Sequence, residues 1–295
     1  DHLGRRDQSE LREGYVDYTA GNWDTRVGRQ VITWGLGDLV FVNDVFPKDH
    51  EALFSGRPLE YLKRGVDAVK LGAYPEFANF ELVLSQGFRE SRIPDARRFR
   101  LYDPMPAVSN RETIKPGQGD VGLRIYRDVA GYDAALYGYR GFWKSPMGFD
   151  AVSGKATFPR LGVYGASARG NVFKGVGSLE AGYYDSMEDR SGNDPLIPNS
   201  QARFLAGYEQ ELVTDFTAGG QYYLEHMLDY AAYRAALPNG TAPADEDRHV
   251  LTLRLTWLAF HQNLRLSLFT FYSPSDHDAY LRPVASYRID DHWTA

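Results

Sequence analysis

Five oxygen-bearing side chains, Asp185, Glu188, Asp189, Asn193 and Asp194, fall within the stretch "DSMEDRSGNDP". Carboxylate and amide oxygens at that density can hold calcium, which takes several hard oxygen ligands. The ligand spacing of an EF-hand is missing, so a solvated outer loop is the competing reading. Asp185, Glu188, Asp189 and Asp194 remain the calcium candidates. "GFDAVSGKAT", Gly148 to Thr157, has the outline of a phosphate loop, but Ala156 stands where Ser or Thr should follow Lys155 to meet a magnesium ion. "GASARG" at 165–170 has Arg169 where a nucleophile elbow needs its second glycine. The seven histidines are scattered, and His226 and His249 read as isolated loop or interface residues. No cysteine is present, which removes thiolate nucleophiles, thiolate metal sites and disulfides. The formal charge of -6 argues against nucleic acid as a partner. Neither an enzyme nor a cofactor is expected from these residues.

The residues that carry a function must therefore be sought in the repeating elements. Twenty Tyr, 16 Phe and 5 Trp in 295 residues exceed what an ordinary core uses. No run approaches the apolar length of a transmembrane helix. Instead, residues alternate. In "RHVLTLRLTWLAF", Leu251, Leu253, Leu255 and Trp257 alternate with Thr252, Arg254 and Thr256. Val121, Leu123 and Ile125 alternate with Gly122 and Arg124, and Phe80, Leu82 and Leu84 with Glu81. A period of two marks a strand with one apolar and one polar face.

Thirteen such segments are predicted, near 11–20, 23–34, 65–73, 77–85, 120–129, 132–142, 159–169, 176–184, 201–211, 216–226, 249–258, 264–272 and 279–289. Their connections alternate in length. Gly21-Asn22, Tyr74 to Glu76, Ala130-Gly131, 170–175, Leu212 to Asp215, Phe260 to Asn263 and Asp290 to His292 are short; 35–64, 86–119, 143–158, 185–200 and 227–248 are long, and Ser273 to Asp278 is intermediate. A transmembrane barrel has this asymmetry, with short periplasmic turns and long outer loops. The expected fold is an all-β, antiparallel, up-and-down transmembrane β-barrel in the bacterial outer membrane. The 295 residues form a single barrel domain incomplete at both ends. One strand before Asp1 and two after Ala295 would make an even count of about sixteen. Trp23, Tyr132, Tyr222, Trp257 and Tyr272 near strand ends would sit in the interfacial aromatic girdles.

"VGRQVITWGLGDLVFVNDVFPKD" joins Gly28-Arg29-Gln30 to Trp34-Gly35 and Asp38, and "YDAALYGYRGFWKSP" and the ending "YRIDDHWTA" have a similar character. These stretches resemble a group of little-characterised Gram-negative outer-membrane β-barrels and, more distantly, barrels of the alginate-export type. The resemblance implies a porin-like barrel.

With the apolar faces toward lipid, the opposite faces line the lumen. If Gly21-Asn22 is a turn, facing residues pair Asp17 with Arg26, Glu13 with Gln30 and Val16 with Val27, while Arg29 falls on the lipid side beside Gly14. The other strands contribute Lys70, Glu81, Arg124, Arg203, Glu225, Arg254, Arg282 and Arg288. Adding Arg160, Arg265, Glu180 and Glu209 gives nine cations and six carboxylates, a mildly basic lining in an acidic chain. The connection 35–64 is too apolar for a loop in water; folded inward, it would narrow the pore through Asp38, Asp44, Lys48 and Arg57. The expected function is passive or selective passage of small polar, preferentially anionic, solutes. A sheath for a partner, such as a secreted polymer or an electron-transfer cytochrome, or a surface adhesin, is the alternative. Outer-membrane lipid and small solutes are the expected partners, with a protein in the lumen or at the surface under the alternative.

Overall fold

The computed structural model describes residues 10–94, 112–290 and 293. Thirteen strands form one sheet, in the order β1 (Gly14–Ala20), β2 (Trp23–Gln30), β3 (Val66–Ala73), β4 (Asn79–Ser85), β6 (Val121–Val129), β7 (Tyr132–Phe142), β10 (Arg160–Val172), β11 (Gly175–Ser186), β12 (Gln201–Val213), β13 (Phe216–Met227), β14 (Asp247–Ala259), β15 (Leu264–Ser273) and β16 (Asp278–Tyr287). Each strand neighbours the next of these along the chain, as an up-and-down meander requires. Three short strands, β5 (Thr113–Ile114), β8 (Gly148–Asp150) and β9 (Lys155–Thr157), form a separate sheet. The Lys155 of the phosphate-loop outline thus lies on a small hairpin, with its ammonium 2.7 Å from Glu112. Two short helices, α1 (His50–Phe54) and α2 (Tyr230–Ala236), occupy long connections. No helix among the described residues is long and apolar enough to cross a membrane.

The thirteen expected strands are all present, and their ends shift by a few residues. The largest shift is at β2, which ends at Gln30 rather than at 34; β10 and β11 continue to Val172 and from Gly175, leaving the two-residue turn Phe173-Lys174. Phe173 takes a left-handed φ of 52°, and Asp215 in the turn between β12 and β13 takes 65°. Neither turn carries the Asn-Gly or Asp-Gly sequence that usually announces such geometry, which is why their hairpins extend beyond the sequence reading. The Asp290 to His292 turn falls partly outside the described residues.

In the first hairpin Asp17 faces Arg26, Val16 faces Val27 and Gly14 faces Arg29, as the turn dictates. Glu13 precedes the strand, so the Glu13–Gln30 pair does not form; Glu13 instead accepts the backbone N–H of Val31 at 3.0 Å. No bulge re-aims Arg29. It is opposite Asp67 on β3, and its guanidinium grips that carboxylate at 2.7 and 2.8 Å. An ion pair on the outer face thus resolves the misfit.

The outer belt is plain in exposure: Leu253 is 41% exposed, Trp257 52% and Leu281 65%, whereas Val250 and Thr252 are 0% and 7%. Within a soluble sandwich those leucines would be the core; here they form the face that meets lipid. Contacts divide the chain into two compact units. One holds β1–β4 with residues 45–125 and 139–161; the other holds residues 35–44, 126–138 and β10 from Gly162 onward through β16.

Candidate functional site: the lumen face

In the first unit, the lumen face of β1–β4 carries charges that pair across neighbouring strands. Arg26 donates to both oxygens of Asp17 at 2.6 and 2.9 Å and stacks on Tyr15, its Cζ 3.8 Å from the ring centre. Lys70 lies 3.7 Å from Glu81. The other oxygen of Glu81 accepts the indole N–H of Trp34 at 2.6 Å. Trp34 needs Gly122 on β6, because a Cβ there would sit 2.6 Å from its ring. Gln30 is buried and donates to the carbonyls of Ala68 and Arg26. Arg124, also on β6, is partly buried.

At the loop end of this unit a second arrangement forms. The Lys144 ammonium lies 2.5 Å from Asp120, and Asp120 also accepts the Tyr139 hydroxyl at 2.9 Å. Both charged side chains are under a tenth exposed. Burial pulls the Lys144 pKa down, and the Asp120 carboxylate acts against that shift. This pair was not legible in the sequence, since Asp120 stands at the very start of the predicted strand 120–129, Lys144 in a loop 24 residues later, and nothing local joins them.

In the second unit, residues 35–44 lie across the lumen faces of β10–β14. Val40 and Val42 pack on Leu205, Tyr223 and Val250, with Phe271 beside them. These wall residues occupy lumen positions that strict polar alternation would fill with polar groups. The polar anchors are equally specific. Arg254 grips Asp38 with two N–H groups, one at 2.7 Å. Gln221 accepts the Asp38 N–H at 2.8 Å. The Tyr184 hydroxyl donates to the Val42 carbonyl at 2.5 Å. Glu180 accepts the N–H groups of Leu36 and Asn43 at 2.9 and 2.8 Å and the Asn43 side-chain amide at 2.9 Å.

Beside this seat is a recess of about 260 Å³, lined by Asp38, Arg169, Ser178, Glu209, Thr252 and Arg254 among others. Gly219 and Gly220 leave its wall without side chains. Arg169 has neither an ion-pair nor a hydrogen-bond partner among the described residues. In the sequence it stands out only as the departure from the nucleophile elbow. Ser167 of that stretch shares a hydrogen bond with Tyr137 at 2.9 Å.

The remaining expected residues separate cleanly. Arg203 faces Glu225 across the strand pair, 3.2 Å away, and stacks on Tyr184 at 3.9 Å. Arg282 is partly buried opposite Phe269. Arg288, beyond the end of β16, donates to the Asn263 side chain at 3.0 and 3.2 Å. Arg160 alternates with the buried Leu161 and falls on the outer face with Tyr164, which removes it from the lumen set. Of the four proposed constriction residues, Asp38 meets the wall and Asp44 is buried. Lys48 is also buried, its ammonium donating to the Phe46 carbonyl at 2.6 Å, and Arg57 is exposed.

The calcium candidates lie in a loop that hydrogen-bonds to itself. Asp185 binds Arg190 at 2.8 and 2.9 Å, Asp189 accepts Ser191 and the Asp194 N–H, and Asp194 accepts the Leu196 N–H. Their oxygens are turned to their own loop, and among the described residues no three acidic or histidine side chains converge on a metal position. Glu188 belongs to the same loop and to no such group. The isolated histidines pair locally: His226 with Asp247 at 2.8 Å and His249 with the Tyr222 hydroxyl at 2.7 Å.

A long antiparallel meander with an exposed apolar belt on one face and charged residues on the other defines an outer-membrane β-barrel of the porin-like kind. The chain is similar to a loop-deletion form of OmpT, an outer membrane protein of Vibrio cholerae, with a TM-score of 0.53 and 12% identity over 94% of this chain and 78% of that one. It is also similar to the outer membrane channel DcaP of Acinetobacter baumannii, with a TM-score of 0.52 and 11% identity over 92% of this chain and 73% of that one. No family model and no curated relative matches the sequence. The shared fold is that of these outer-membrane proteins, and the meander of this chain is antiparallel and up-and-down.

Proposed function

We propose that the protein is a passive outer-membrane channel for small polar solutes, narrowed by residues 35–44 and favouring anions. The observation that carries this reading is the recess beside that segment, where Arg169 is a cation with no ion-pair or hydrogen-bond partner among the described residues. Arg254, the more obvious candidate from the sequence, is neutralised by Asp38 in the same recess. A fixed positive charge in a narrow, low-dielectric passage raises the local concentration of anions. Glu209, which also lines the recess, moderates that field, so the preference is mild. The likeness to the channel DcaP supports passage as the activity, with no chemical reaction.

The test is the reversal potential of the purified protein in a planar bilayer across a potassium chloride gradient. The unmodified channel should favour chloride, Arg169→Gln should reduce that preference, and Glu209→Gln should increase it. Cation preference in the unmodified channel would overturn the reading, and an unchanged potential in Arg169→Gln would remove that residue from the pathway.

A further inference from the structure

We propose that Glu180 is the latch that fixes residues 35–44 against the wall and so sets the width of the passage; this rests on the channel reading given above. Glu180 is 3% exposed and sits on the lumen side of β11, alternating with Leu179, which is 63% exposed on the other face. An isolated carboxylate at such a position is costly unless its oxygens are fully occupied. They are. One oxygen accepts the backbone N–H of Leu36, and the other accepts both the backbone N–H and the side-chain amide of Asn43. A single side chain thereby closes the segment at both ends, from 137 and 144 residues away along the chain.

The surrounding residues are shaped to this contact. Gly35 has a φ of +76°, and a Cβ there would stand 2.5 Å from a Glu180 oxygen. Gly165 on β10 leaves space that the Asn43 side chain fills, since a Cβ there would be 1.7 Å from the Asn43 amide oxygen. Asn43 also donates to the Ala181 and Ala166 carbonyls at 3.1 and 3.4 Å, so it is held by the wall on two strands. The other anchors act on the middle of the segment, where Arg254 and Gln221 hold Asp38 and Tyr184 holds Val42.

The chemistry makes glutamine an informative replacement. Both Glu180 oxygens face donors, so an amide in either orientation must turn its NH2 group toward an N–H. Glu180→Gln therefore loses the Leu36 contact or both Asn43 contacts without changing side-chain size. Because the chain has no cysteine, a disulfide can replace the latch without competing thiols. Val42→Cys with Gly182→Cys is the suitable pair: a Cβ at Gly182 would be 3.0 Å from a Val42 methyl, which places the two Cβ atoms within disulfide reach.

Two readouts separate the latch from the channel. Hydrogen exchange of the folded protein in detergent should show the Leu36 and Asn43 amides exchanging about tenfold faster or more in Glu180→Gln, and faster still in Glu180→Ala, while the strand ladders are unchanged. In planar bilayers the same variants should show larger current fluctuations and a lower voltage for closure. Oxidising the Val42→Cys/Gly182→Cys pair in the Glu180→Gln background should restore a quiet channel, and reduction should reverse it. Unchanged exchange at both amides in a folded variant would overturn the latch, as would a noisy channel that the disulfide leaves noisy. If the unmodified protein passes no current, the channel reading fails, and the exchange result still decides whether Glu180 holds the segment.

Discussion

The lumen faces of β1–β4 and of β11–β14 both carry charge, yet their charges find partners at different distances along the chain. On β1–β4 the pairs are hairpin neighbours: Asp17 and Arg26 are nine residues apart, and Lys70 and Glu81 lie on adjacent strands. Asp17 and Arg26 remain partly open to solvent. On β11–β14, Arg203 and Glu225 also pair locally, but Arg254 and Glu180 turn to residues 35–44, which are 216 and at least 137 positions away. A cross-strand pair in water adjusts a lining that already exists. A pair formed with a covering segment determines where the lining lies.

The comparison is sharpest where burial rather than sequence distance decides the cost. Lys144→Met should destabilise the protein by about 3–5 kcal/mol, because it strands a buried Asp120 without its counter-ion. Adding Asp120→Asn should recover much of the loss, and Arg26→Gln on the solvated pair should leave the unfolding midpoint unchanged. Urea unfolding in lipid vesicles checks all three; equal losses for Lys144→Met and Arg26→Gln would break the distinction.

The two faces of β14 offer the next test. Leu253→Arg, on the lipid side, should cost about 2–4 kcal/mol near the bilayer midplane. From the sequence, Thr252→Arg would be the harmless counterpart, but Thr252 is buried and lines the recess, where an arginine would change the passage itself. Thr256, partly exposed on the same lumen face, is the proper comparator, and Thr256→Arg should fold like the unmodified protein. Similar losses for Leu253→Arg and Thr256→Arg would mean that the faces are reversed.

The smallest effect concerns pH. Burial, helped by the nearby Lys48 ammonium, holds the pKa of His50 below its ordinary value of 6.5. A neutral form favoured by folding contributes stability that is fully present above that ordinary value and is lost as pH falls through the lowered one. Mild acidification should therefore loosen the loop around α1, measured as faster amide exchange there, and His50→Gln should flatten the response. Tightening of that loop with acid would contradict this environment for His50.

For the thirteen long strands, existence, hairpin register and, Arg160 apart, facing were legible in the sequence because they depend on local quantities. The period of two assigns Leu253 to lipid and Arg254 to the lumen wherever the strand goes, and Gly21-Asn22 fixes Asp17 opposite Arg26 by counting from the turn. The turn at Phe173-Lys174 was hidden because its residues accept the strained geometry without advertising it. The lumen apolar seat at Leu205, Tyr223 and Val250 broke the alternation for a reason located elsewhere in the chain: it faces Val40 and Val42 rather than water.

Residue order alone specifies an amphipathic meander with one face for lipid and a charged face opposite. Which charges remain available depends on the folded chain. Asp38 neutralises Arg254, Glu180 is occupied by Leu36 and Asn43, and Arg169 has no partner among the described residues. The physical reason is that face and register follow from the pleat over two to ten residues, whereas the state of a buried charge depends on every group that reaches it, however distant along the chain.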